Sequence, residues 1–214
     1  MEEVQLHARG ASRARSIAFV GLTVAIMAVS AWVTVPIGPV PVTLQMFAIT
    51  FAIVVLSPKE AIAAIVCYLA LGAVGVPVFS GMRGGIGVLA GPTGGFLWGY
   101  LFGVAAAVLL LHVVRSRTSW EVSRKQAALD PAAEAALSPV QKFVRFVRIS
   151  GVEIAAGVLF TAISYLCGWA QFMPVMGVGP EAAFLACIAP FVVIDFCKIL
   201  AAVACARAVK AVVK

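Results

Sequence analysis

An aspartate and a lysine stand three positions apart, Asp195-Phe-Cys-Lys198, inside the last long apolar run of the chain, residues 184–206. On a helix that spacing puts both side chains on one face, within reach of each other. Ionisable groups at bilayer depth are costly and normally face a bundle interior or a cavity. Two readings are open. The pair holds a ligand, or each charge merely neutralises the other, as buried charges must. No Ser-His-Asp or Cys-His set is evident, and no third group accompanies the pair in the sequence, which argues against a catalytic centre.

The elements that must position this pair are membrane spans. The chain has 214 residues, 63% hydrophobic and 12% charged, more apolar surface than a soluble domain of this size can bury. Hydropathy draws six spans, at residues 17–35, 42–56, 61–78, 86–114, 149–170 and 182–209. The second is short and is expected to be tilted or irregular. The fourth opens in a glycine-rich stretch, so its helix is expected to start near Gly94. The fold class is therefore an all-α integral membrane protein with six transmembrane helices. Residues 1–15 form a cytoplasmic tail, 16–214 one membrane domain, and 115–148 a cytoplasmic loop in which 132–137 could form a short surface helix.

Net charge is +7, from 16 Lys and Arg against 9 Asp and Glu. With the N-terminus inside, fourteen of those 16 cations fall on one side; Arg83 lies outside and Lys198 within the membrane. This positive-inside distribution places both termini in the cytoplasm. It explains the basic excess without nucleic acid and makes anionic lipid headgroups natural neighbours. The N-terminal run reads as an uncleaved first span rather than a signal peptide, because five further spans follow. The five cysteines lie in spans with no Cys-His or Cys-x-x-Cys cluster, so no metal site is expected. Glu153, near Arg145 and Arg148, reads as an interfacial ion pair. Trp32, Trp98 and Trp169 lie near outer span ends, as an aromatic belt would.

Two irregular outer segments stand beside the charge pair. In Val35-Pro-Ile-Gly-Pro-Val-Pro-Val-Thr-Leu-Gln45 the prolines forbid a helix and favour extended backbone. It ends in Thr43 and Gln45. Such backbone is tolerated at membrane depth only when buried in protein or lining a cavity, although a stiff external turn would also explain it. The second segment, residues 81–95, has seven glycines and contains Arg83, Gly85, Pro92 and Thr93. That density lets backbone approach a ligand closely. It is no P-loop, since the chain has no Gly-x-x-x-x-Gly-Lys-Ser/Thr. ATP hydrolysis, if any, falls to another subunit. Pro190 is expected to kink the last span just above Asp195. An outward-opening pocket floored by Asp195 and Lys198 follows. Elsewhere, Gly95, Gly99 and Gly103 at four-residue spacing make a groove for another helix, here expected within the bundle. The small residues Ala14, Ala18, Gly21 and Ala25 on the first span could pack inside or dock a separate membrane subunit.

Taken together, Pro36-Ile-Gly-Pro-Val-Pro-Val-Thr-Leu-Gln45, Gly72-Ala-Val-Gly-Val-Pro-Val-Phe79, Gly91-Pro-Thr-Gly-Gly-Phe96 with Gly99-Tyr100, and Pro190-x4-Asp195-x-x-Lys198 resemble the BioY family. These are biotin-specific substrate-binding (S) components of energy-coupling factor (ECF) transporters. The resemblance implies a six-helix S-component of a prokaryotic cell membrane that captures biotin from outside. It would act with a transmembrane coupling subunit and two ATPase subunits, and carry no cofactor of its own. It implies biotin binding by Asp195 and Lys198, and docking to the coupling subunit through Ala14, Ala18, Gly21 and Ala25. It also implies a binding asparagine near the third-to-fourth connection, yet the chain has no asparagine. Arg83, the sole external cation, is a candidate partner for the biotin carboxylate. An S-component for another vitamin is the alternative, although larger aromatic ligands should bring more Trp and Tyr than this chain offers. A small intramembrane transferase is the second alternative.

Overall fold

The computed structural model describes residues 2–36, 38–117 and 137–212. Among these are eight helices and one two-stranded ribbon: α1 (Glu2–Trp32), β1 (Thr34–Val35), β2 (Val42–Thr43), α2 (Gln45–Val55), α3 (Pro58–Ala73), α4 (Ile86–Ala90), α5 (Gly94–Arg117), α6 (Pro139–Met176), α7 (Pro180–Cys187) and α8 (Val192–Val212). The six expected spans correspond to α1, α2, α3, α5, α6 and the α7–α8 pair. By length and apolar composition α1, α5 and α6 can each cross a bilayer alone, and α7 with α8 can do so as one span bent by 45°. The remaining two are short. At 11 residues, α2 is about 16 Å long, well under the ~30 Å hydrocarbon thickness. The possible surface helix at 132–137 lies almost wholly outside the described residues.

Local chemistry explains the boundaries. Ser57 caps α3 in a reciprocal capping box with Glu60, and Pro58 takes the first turn, where its missing N–H costs nothing. The same device, Ser138 with Gln141 and Pro139, starts α6. Residues 139–148 are therefore helical, which corrects the expectation of a loop through 148. This Ser-Pro-x-Gln signal is present in the sequence. α6 ends at Gly177, whose φ of +63° is a left-handed cap.

Packing between α5 and α6 is the closest in the bundle, and the glycine ladder is the reason. A Cβ on Gly99 would lie 2.6 Å from Ser164 Cα, and one on Gly103 would lie 2.7 Å from the Phe160 carbonyl oxygen. One on Gly95 would strike the Cys167 carbonyl. The groove is filled from within the chain, as expected. The small stripe on α1 is different: Ala14, Ala18, Gly21 and Ala25 are all exposed, and nothing lies within 4 Å of a Cβ on Gly21.

The proline-rich segment is extended, as its prolines require. Thr34 pairs with Thr43 and Val35 with Val42 in an antiparallel hairpin. Just before it, Trp32 at the end of α1 ties the chain to the α3–α4 connection, its Nε1 donating to the Pro77 carbonyl at 2.8 Å. The last span is interrupted at residues 188–191, around Pro190, so α8 begins afresh just before Asp195.

Candidate substrate-binding site

A cavity of about 630 Å3, open space at its mouth included, lies between the hairpin, the α3–α4 connection and helices α5, α6 and α8. A concave space lined mainly by apolar side chains with a few convergent polar groups is the usual form of a small-molecule site. Asp195 and Lys198 are on its wall, together with Thr43, Gln45, Arg83 and Thr93. Six of the eight residues proposed from the sequence therefore meet in one space. Gly85 and Pro92 are not on that wall. Gly85 has φ +98° and donates its N–H to the Gly72 carbonyl, a turn that only glycine makes without strain. Pro92 sits in the turn before α5, where Gln171 Nε2 grips the flanking carbonyls of Leu89 and Gly91 at 2.8 and 2.9 Å.

The floor is a three-membered network, not a pair. Lys198 Nζ donates to Asp195 Oδ1 at 2.7 Å and to the Thr43 carbonyl at 2.8 Å. Tyr165, from α6, donates its hydroxyl to Asp195 Oδ2 at 2.6 Å. Tyr165 is the third group the sequence did not reveal. Its one signal was a phenol in a long apolar helix, which must find a partner when buried. Asp195 is 4% exposed and falls in the first turn of α8, where the helix dipole favours negative charge. The break at residues 188–191 is what places a helix start there.

Between floor and mouth runs an apolar belt that includes Met46, Phe79, Phe96, Leu97, Tyr100 and Phe191. Two of the chain's three tyrosines and three phenylalanines thus face the cavity. The scarcity of Trp and Tyr in the sequence therefore does not exclude an aromatic ligand; the polar floor is the better discriminator. At the mouth, Arg83 is exposed and its Nε donates to the Ser80 carbonyl at 3.1 Å. A turn closed by the Phe79 N–H on the Arg83 carbonyl at 2.9 Å holds it there.

A second buried polar group lies far down α6. Glu153 is 2% exposed, and α8 brings Arg207 Nη1 to 3.9 Å from its carboxylate. Arg207 also donates to the Ile149 carbonyl and to Ser150 Oγ. The sequence pointed to Arg145 and Arg148; the partner from α8, more than fifty residues away, was not visible in it. Among the described residues no cluster of His, Cys, Asp and Glu has the make-up of a metal site.

The family model of the BioY family matches residues 3–214. The chain belongs to the BioY family. A probable biotin transporter BioY of Pyrococcus horikoshii is 31% identical over 89% of this chain and 93% of its own length. The biotin transporter BioY of Thermotoga maritima is 40% identical over 51% of this chain and 64% of its own length. The fold is that of a solved S-component for biotin from an ECF-type ABC transporter, with a TM-score of 0.68 over 93% of this chain and 92% of that one, at 20% identity. Membership of the BioY family, whose relatives are named transporters, displaces the intramembrane transferase. It leaves a multi-pass membrane protein of a transporter family.

Proposed function

We propose that this BioY-family chain captures biotin from the outer face of a prokaryotic cell membrane. It delivers the vitamin inward as the S-component of an ECF-type transporter, with both termini cytoplasmic. One observation carries the reading: the hydrogen-bonding inventory of the floor. Asp195 is acceptor-only when ionised. Tyr165 spends its one proton on Asp195 and offers only lone pairs. Lys198 has three donors and uses two, leaving one. A ligand head with N–H donors and one carbonyl fits that set, and the ureido ring of biotin has two N–H groups and one C=O. The apolar belt suits its thioether ring. Arg83 at the mouth suits the valerate carboxylate, and Ser80 and Arg83 stand where the resemblance implies an asparagine.

The partners are supported more coarsely. The exposed stripe Ala14, Ala18, Gly21 and Ala25 is a smooth face on which a coupling subunit's helices can pack closely. ATP would be hydrolysed by two further subunits, and no cofactor is needed in this chain. The test is to purify the protein and identify any co-purifying small molecule by mass spectrometry, then titrate the ligand-free protein with biotin. Biotin in the preparation and saturable binding are expected. Another vitamin in its place would move the reading to a different S-component specificity, and no binding of any vitamin would sink it.

A further inference from the structure

Behind the cavity wall, outside the ligand's reach, lies a buried relay that fixes the one amide in the site. Tyr68 is fully buried and is not on the cavity wall. Its hydroxyl donates to the Val78 carbonyl at 2.8 Å. Its ring is held edge-on against Phe79, with centroids 5.5 Å apart. A phenol has one proton, so the remaining contact of Tyr68 Oη must be as acceptor. That contact is Gln45 Nε2 at 2.6 Å. The flipped amide would set two acceptor oxygens against each other, or leave the buried Val78 carbonyl without a donor, and either is costly. Gln45 itself lines the cavity and is 2% exposed. Among the described residues its Oε1 accepts no hydrogen bond.

We propose that Tyr68 is a positioning residue that locks Gln45 with its carbonyl oxygen presented to the ligand, making Gln45 a second N–H acceptor alongside Asp195. This rests on the biotin reading above and deepens it. Two acceptors, one charged and one neutral, then read the two N–H groups of a ureido head. Ligands whose head offers a single donor are disfavoured, because the Gln45 oxygen would be left buried and unpaired.

The experiment is a double-mutant cycle read by calorimetry on detergent-purified protein, with biotin and its two ureido N-methyl derivatives as probes. Gln45→Met and Tyr68→Phe are each expected to weaken biotin about 3- to 10-fold, the value of one neutral hydrogen bond. The double variant is expected to bind no more weakly than Gln45→Met alone, since both remove the same contact. Methylation of one ureido nitrogen should cost the wild type more than either variant, a difference that general loosening of the fold would not produce. Gln45→Leu replaces Gln45→Met should the latter fail to fold. Unchanged affinity in Tyr68→Phe, additive losses in the double variant, or equal methylation costs in all proteins would overturn the assignment while leaving biotin binding intact. Failure of the wild type to bind biotin would remove the functional reading itself.

Discussion

Replacing Asp195 by asparagine separates the ligand role we propose for the carboxylate from its structural one. Toward the ligand, in the biotin reading proposed above, it would accept an N–H as a charged acceptor, an interaction worth about 1.5–3 kcal/mol, so Asp195→Asn should weaken biotin by roughly 10- to 150-fold. Toward the fold, it neutralises Lys198, whose side chain is only 11% exposed and lies 2.7 Å away. Removing one partner of a buried pair costs up to about 3–5 kcal/mol, because the other charge stays behind. The single variant should therefore bind poorly and melt earlier. Adding Lys198→Met removes the stranded ammonium, so the double variant should recover much of the melting temperature and none of the affinity. Calorimetry and a thermal melt in the same detergent read the two quantities separately. A folded Asp195→Asn protein with wild-type affinity would refute the ligand role. A double variant that melts no later than the single one would refute the ion-pair argument.

Other outcomes follow from the same geometry. Gly99→Val should destabilise by ~1–3 kcal/mol, because its Cβ would meet Ser164 backbone at 2.6 Å, whereas Gly151→Ala, with nothing within 4 Å, should raise stability by roughly 0.5–1 kcal/mol. Melting curves of the two compare them directly. Gly21→Leu should leave melting and biotin affinity unchanged, yet abolish uptake when the protein is co-expressed with the coupling and ATPase subunits proposed for it; normal uptake would argue against that face as the docking surface. Arg83→Ala should weaken biotin and desthiobiotin, which keep the carboxylate, and leave biotinamide unaffected. Equal losses for all three would exclude carboxylate pairing.

What the sequence discloses and what it withholds divides along contact range. Spans, the extended proline segment, the break at Pro190 and the Asp195–Lys198 face all depend on neighbours a few residues apart, where hydropathy, missing N–H groups and helical spacing act directly. The glycine ladder announced a close helix contact but not its partner, because that requires knowing that Ser164 and Phe160 sit opposite. Tyr165 and Arg207 escaped for the same reason. Each completes a charge or hydrogen bond with a residue from a different helix, and an apolar flanking sequence gives no hint of direction. The extension of α6 to Pro139 is another matter: its capping box was in plain view, and the basic residues 142–148 disguised a helix as a loop. The second acceptor in the cavity emerges only when the one proton of Tyr68 is followed to Val78.

The bond from Lys198 to the Thr43 carbonyl has a kinetic consequence. Thr43 ends the hairpin that forms one side of the cavity, so the hairpin cannot move away from α8 without breaking a charged hydrogen bond. At about 1.5–3 kcal/mol, that single contact would slow opening by roughly one to two orders of magnitude. In the biotin reading proposed above, long residence would serve capture of a scarce vitamin and obstruct its delivery. In an ECF-type assembly of the kind proposed, the energy of ATP hydrolysis would then go partly into prising one lysine from one backbone oxygen, and a weaker latch would trade capture for turnover.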